Sequence, residues 1–144
     1  MQAFPHKYQV SAKSAINQSV MLAADGLQQL ETDAPLEFGG PGDLWSPETM
    51  LAGSIANCFI LSFRAIAEHS GFVWNSIDCD VEAILDRVDR VSKFTQIRLD
   101  TSLFIPASAD RQTAERLLDK AKQICLITNS LSADVELSKN IISA

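Results

Sequence analysis

Clustered basic residues are missing from this chain. Twelve Lys and Arg face 18 Asp and Glu, for a formal charge of −6. Affinity for phosphate backbones comes mainly from clusters of positive side chains, so neither nucleic acid nor an acidic membrane surface is an expected partner. Cysteine is scarce as well. Cys58, Cys79 and Cys125 are odd in number and widely spaced, which fits neither a disulfide framework nor paired CxxC zinc ligands. No metal or cofactor is expected, and a disulfide among these residues in a reducing compartment would be transient and catalytic. The opening Met-Gln-Ala-Phe-Pro-His-Lys-Tyr lacks a basic segment leading into an apolar run and a small-residue cleavage site, so a cytoplasmic location is expected. There is no Walker loop, no GxGxxG after a strand, no HExxH and no GxSxG, which removes support for nucleotide binding, zinc proteolysis and the common serine-hydrolase route.

What is present describes one ordinary domain over residues 1–144. The hydrophobic fraction of 47% and charged fraction of 21% are near the averages for globular proteins. From Tyr8 to about Thr32, short strand-like runs flank Asp25-Gly26, which has hairpin-turn chemistry. Pro35 to Pro47 holds three Pro and three Gly and reads as a loop of fixed shape. Ser46-Pro47 is a helix start, because Ser can cap free N–H groups and Pro at the first position has no N–H to satisfy. From Met50 to Ala67 the helix is apolar almost all round, and it ends at Gly71. A membrane span is the other reading of such a run, but Met50 to Phe63 is shorter than the roughly 20 residues a bilayer needs and Arg64 closes it. The helix is therefore expected to be central and buried.

Alternation of Ile77, Cys79, Val81, Ala83 and Leu85 with acidic residues marks a half-buried strand with Cys79 on its inner face. A charged turn is expected at 86–90 and a long strand from Val91 to Ile105, ended by Pro106. Ser108 or Ala109 should open a second helix with Ala114, Leu117, Leu118, Ala121 and Ile124 on its apolar face. Cys125 ends that helix, Thr128-Asn129-Ser130 is a polar break, and Ala133 to Leu137 is a last short strand. The order implies an α+β domain with helices against one sheet.

Cys58 lies mid-helix in Ala-Asn-Cys-Phe-Ile. Free cysteine is often a simple core residue, and 67 positions separate it from Cys125, so the residues alone leave packing and chemistry both open. Cys79 is assigned to packing. Glu48 reads either as a first-turn carboxylate stabilising the helix dipole or as a site residue. Ten residues of helix between Glu48 and Cys58 correspond to about 15 Å, so only a second subunit could bring a Glu48 to this Cys58. Arg64 lies about 240° around the helix from Cys58 and points elsewhere. His69 suits the helix C-terminus.

The run Phe38-Gly39-Gly40-Pro41-Gly42, then Trp45-Ser46-Pro47-Glu48-Thr49-Met50-Leu51-Ala52 through Ala56-Asn57-Cys58-Phe59, resembles the central-helix signature of the OsmC/Ohr family. Cys125-Leu126-Ile127-Thr128-Asn129-Ser130 resembles its second cysteine motif. The resemblance implies an OsmC-like fold, an antiparallel sheet with a buried central helix and a second helix, in an intertwined homodimer whose active sites lie at the subunit interface. It implies a thiol peroxidase active in stress defence. Cys58 would attack an organic hydroperoxide, Cys125 would resolve the sulfenic acid, and Glu48 would belong to the site. A dithiol, a lipoylated protein being one candidate, would be the reductant. The chain departs from the family pattern in two places: no arginine precedes Arg64, and Leu126 stands where a proline usually follows the second cysteine. A non-catalytic dimer binding a small hydrophobic molecule, or serving as a thiol redox sensor, is the alternative these departures leave.

Overall fold

Three short runs separated by turn residues cannot bury much alone, and in the computed structural model, which describes all 144 residues, they pair with one another. Contacts cluster in two units, residues 1–50 and 51–144, each described in turn. In the first, β1 (Ser11–Lys13), β2 (Val20–Ala23) and β3 (Leu30–Thr32) form an antiparallel sheet in that order. Gly26, at φ 73°, lets the chain reverse after β2, where Leu27 N–H donates to Ala24 O; that left-handed conformation carries little steric cost without a Cβ. The loop from Pro35 holds a single 3-10 turn, Leu36–Phe38. Gly40 packs so closely on Ala34 that a Cβ there would overlap its carbonyl group. Asp33 N–H donates to Trp45 O, tying the loop's two ends together.

Ser46 and Thr49 then cap a long helix reciprocally. Ser46 Oγ accepts Thr49 N–H at 3.1 Å and Thr49 Oγ1 accepts Ser46 N–H at 2.8 Å, a capping box built with threonine. The helix, α1 (Pro47–Ser70), starts where the Ser-Pro pair indicates. It ends in a Schellman motif: Gly71 adopts φ 65°, Phe72 N–H reaches Ala67 O and Gly71 N–H reaches Glu68 O, as a left-handed glycine after the last turn allows.

In the second unit, Ile55, Phe59, Phe63, Ile66 and Ala67 form one buried stripe along α1. Through this stripe α1 is the central helix expected, while its opposite side is open, with Leu61 50% exposed and Arg64 exposed, because the unit's single sheet covers one face only. At 24 residues, with an 18-residue stretch of mean hydropathy 1.6, α1 is long and apolar enough to cross a membrane. Its buried stripe instead joins the hydrophobic core.

That sheet is β4 (Ser76–Val88), β5 (Val91–Ile105) and β6 (Asp134–Ser143), in sequence order. β5 starts at Val91 as expected, while β4 runs on to Val88, leaving a two-residue turn at Asp89 and Arg90 with φ 50° and 68°. Inner-face Ile97, Leu99, Leu103 and Ile105 are buried. On the outer face, the register aligns Glu82, Arg98 and Glu136 across the three strands, and Arg98 Nη1 donates to Glu82 Oε1 at 2.8 Å. β6 pairs with β5 in parallel, so the sheet is mixed and the molecule has two sheets where the sequence suggested one. The returning chain between β5 and β6 is α2 (Arg111–Ile124), packed through Ala114, Leu117, Leu118 and Ala121. It starts at neither Ser108 nor Ala109. Pro106 O accepts Ala109 N–H in a turn, and Asp110 becomes the cap, its carboxylate accepting Thr113 N–H at 2.8 Å. Ile124 falls off the buried stripe and is 46% exposed. The polar break is in fact a one-turn helix, α3 (Leu126–Asn129). The α+β class is as expected.

Candidate functional site

The end of α2 and the middle of α1 meet at two cysteines. Cys58 lies on α1 between exposed Asn57 and buried Phe59, and it is half-buried. Cys125 is the residue between α2 and α3, serving as the C-cap of one and the N-cap of the other, and is fully enclosed at 0% exposure. Its backbone is held by Cys125 N–H donating to Lys122 O and by its carbonyl accepting Asn129 N–H and the Thr128 hydroxyl. All three cysteines are free thiols.

Burial pushes the Cys125 thiol above the ordinary cysteine value, since a thiolate there would be desolvated. Thr128, whose hydroxyl donates to the Cys125 carbonyl at 3.1 Å, opposes this, and the adjoining Cys58 thiol reinforces it. The two cysteines named by motif are thus neighbours within one unit. Cys79 is half-buried on the inner face of β4, opposite Thr101, whose hydroxyl donates to its sulfur at 3.7 Å. Burial raises its thiol pKa, Thr101 lowers it, and Asp80, Asp100 and Cys125 raise it by charge. Its packing role agrees with the alternation.

Glu48 is not brought to Cys58 within the chain: it belongs to the first unit, ten positions earlier on the same unbroken helix. Its Oε2 is shut off from solvent and has no hydrogen-bond partner. Arg64 and His69 are exposed, His69 in the last turn of α1 as anticipated. No cluster of three or more His, Cys, Asp or Glu is arranged to hold a metal.

Two residues that act on the thiols escaped the sequence reading. Thr128 was legible only as part of a polar break, although the spacing Cys125-x-x-Thr128 is that of an N-cap and its third helical residue. Thr101 was hidden because its effect depends on the β4–β5 register, and no local signal could have found it.

A family model described as OsmC-like protein matches residues 40–138. The chain belongs to the OsmC-like family. Among relatives in this family, YmaD of Bacillus subtilis is 30% identical over 106 residues, 72% of this chain and 71% of its own length. Peroxiredoxin OsmC of Escherichia coli is 29% identical over 98 residues, 68% of each. The fold recurs in an OsmC-like protein of unknown function from Vibrio cholerae, with a TM-score of 0.85 at 16% identity, covering 96% of this chain and all of that one. It recurs also in an organic hydroperoxide resistance protein from Elizabethkingia anophelis, with a TM-score of 0.78 at 15% identity, covering 99% of this chain and all of that one. The α+β architecture is therefore the OsmC-like fold, and peroxidases are among the proteins that this chain resembles.

Proposed function

We propose that this protein is a cytoplasmic thiol peroxidase that reduces organic hydroperoxides to alcohols. The observation that carries the reading is the adjacency of a half-buried Cys58 and a sealed Cys125 in one unit of an OsmC-like fold. Cys58 is the cysteine of this pair with solvent access, so a peroxide meets it first. Its thiolate attacks the terminal peroxide oxygen, the O–O bond breaks, and the departing alkoxide takes a proton to leave as the alcohol. The resulting sulfenic acid condenses with the Cys125 thiol, releasing water and forming a disulfide. A dithiol reductant then returns both thiols and is itself oxidised to a disulfide.

The raised pKa of Cys125 suits the second role, because a protonated, enclosed thiol is spared direct oxidation. Glu48 enters the site from a second copy of the chain. Support for a homodimer comes from the apolar face of α1 left exposed, with Leu61 its clearest member, and from Phe4, Tyr8, Val10 and Ile16, each at least 68% exposed. Apolar surface on that scale ordinarily marks an interaction site.

The test is to titrate the reduced protein with cumene hydroperoxide, count free thiols and map the peptides. Two thiols should disappear together as a 58–125 link. Cys58→Ser should abolish peroxide consumption, while Cys125→Ser should allow the first turnover and then let Cys58 overoxidise. If the Cys58 variant consumed hydroperoxide as fast as the parent, the peroxidase reading would fail. The absence of any arginine before Arg64 favours the second reading, a non-catalytic dimer that binds a small hydrophobic molecule. In that case all three thiols would survive the titration.

A further inference from the structure

Cys125 leaves helical geometry without the residues that usually enforce such a break. It ends α2 at φ −62° and ψ 103°, an extended conformation, and α3 begins at the next residue. Helices commonly stop at a left-handed glycine, and a proline at the following position holds its predecessor extended by steric clash. Neither is present, since Ile124 precedes Cys125 and Leu126 follows it. The last carbonyls of α2 also have no partner within their own helix. The bond from Cys125 N–H back to Lys122 O is long, at 3.4 Å.

Asn129 supplies what the corner lacks. Its side-chain Nδ2 donates to Gln123 O, in the last turn of α2, at 2.9 Å, and its backbone N–H donates to Cys125 O at 3.0 Å. One residue is thereby tied to the chain on both sides of the bend. The hydroxyls of Thr128 and Ser130 reach only Cys125 O and Leu126 O, so neither of them spans from α3 to α2. Asn129 is exposed and stands outside the hydrophobic core. No packing requirement explains an amide at this position.

We propose that Asn129 is a positioning residue for the thiol pair, its amide latching the α2–α3 corner and so holding Cys125 beside Cys58, in place of the restriction that a proline at 126 would impose. Its part in resolving a sulfenic acid rests on the peroxidase reading, whereas the latch itself does not. In that step the S–S bond forms, the S–O bond of the Cys58 sulfenic acid breaks, and the hydroxyl leaves as water with the Cys125 proton. Asn129 exchanges neither proton nor electron. It keeps an enclosed thiol where the bond must form, because a disulfide tolerates little misplacement of either residue and orientation fixed in advance removes an entropic cost from the step.

The experiment compares the full-length parent with Asn129→Ala, with Asn129→Asp, which keeps the size but removes the donor, and with Asn129→Ala combined with Leu126→Pro. Equilibration with reduced and oxidised glutathione, read by peptide mapping of the 58–125 link, measures the effective concentration of the two thiols and needs no hydroperoxide. It should fall roughly two- to tenfold in both single variants, the span of one net hydrogen bond. Leu126→Pro should restore it, because Leu126 is exposed and occupies the first position of α3, where proline needs no N–H. Rapid mixing with one equivalent of cumene hydroperoxide should show disulfide formation slowed by a similar factor, peroxide consumption unchanged and more Cys58 sulfinic acid. An unchanged or raised effective concentration in the single variants, a proline that restores nothing, or equal slowing of peroxide consumption and disulfide formation would each overturn the proposal. A parent that consumes no hydroperoxide overturns the peroxidase reading instead, and the glutathione equilibrium still decides whether the latch holds the pair.

Discussion

Phe63→Ala should weaken the structure that holds Cys58 far more than Leu61→Ala, two residues away on the same helix. Phe63 is fully buried and meets Trp74 edge-on, with ring centroids 5.4 Å apart at 79°. Removing a buried phenylalanine costs about 3–5 kcal/mol, the transfer term plus the cavity left behind. The lost aromatic pair, about 0.5–1.5 kcal/mol in favourable geometry, places this site in the upper half of that range. For a chain of this length the melting temperature should fall by roughly 8–20 °C. Leu61 is 50% exposed, so in dilute protein its truncation should cost less than about 1 kcal/mol. If a second copy covers that face, the Leu61 cost should grow with protein concentration through mass action, whereas the Phe63 cost should not. Urea melts followed by far-UV circular dichroism, on dilute and concentrated samples, measure both. A Phe63 cost below about 1.5 kcal/mol, or equal costs for the two variants in dilute protein, would refute the assignment of inner and outer faces.

Stability should fall as pH rises above the ordinary cysteine value of about 8.5. Burial raises both Cys79 and Cys125 in the folded state, so the folded protein holds protons there that the unfolded chain has released. The contribution is complete below the unfolded value and is lost towards the folded ones; urea midpoints on either side of that window should show it, and a flat profile would contradict it. Native alkylation at neutral pH, read by mass spectrometry, should modify Cys58 before Cys79 or Cys125, with all three reacting alike in denaturant. Gly40→Ala should displace the loop from Ala34, because its Cβ would overlap that carbonyl, and limited proteolysis should then cut between 34 and 45 faster than in the parent. Arg98→Ala should cost no more than about 1 kcal/mol, since its bridge to Glu82 is largely exposed.

The start of α1 is legible in the sequence because Ser46-Pro47 solves the helix's unpaired N–H problem locally. The inner faces of β4 and β5 are legible because alternation is a property of the strand itself. The two sheets are not, since periodicity says which residues of a strand face inward but not which strands share a ladder. β6 extends through Ser138-Lys139-Asn140, where propensity signals nothing, because its parallel pairing with β5 supplies the hydrogen bonds. Asp110 supersedes Ser108 as a cap because Pro106 and Ala109 first close a turn. At the site, no spacing argument joins Cys58 to Cys125. Their proximity depends on α2 returning from β5, which only the resemblance to a known family anticipated.

The unequal burial of the two thiols also determines how the proposed disulfide would be reduced. With Cys125 at 0% exposure and Cys58 half-buried, an incoming dithiol can reach the Cys58 sulfur and not its partner. The mixed disulfide should therefore form on Cys58, with Cys125 as the leaving group. A leaving thiol of raised pKa departs slowly, and burial raises Cys125, so this step should limit turnover once peroxide is abundant. Thr128 works against that limit, because its position beside Cys125, with its hydroxyl donating to the Cys125 carbonyl at 3.1 Å, lowers the thiol pKa. Thr128→Val should slow disulfide reduction by a dithiol while leaving the first, peroxide-consuming step unchanged. Stopped-flow measurement of the two half-reactions separates them, and an equal slowing of both would mean that Thr128 acts only by holding the α2–α3 corner together.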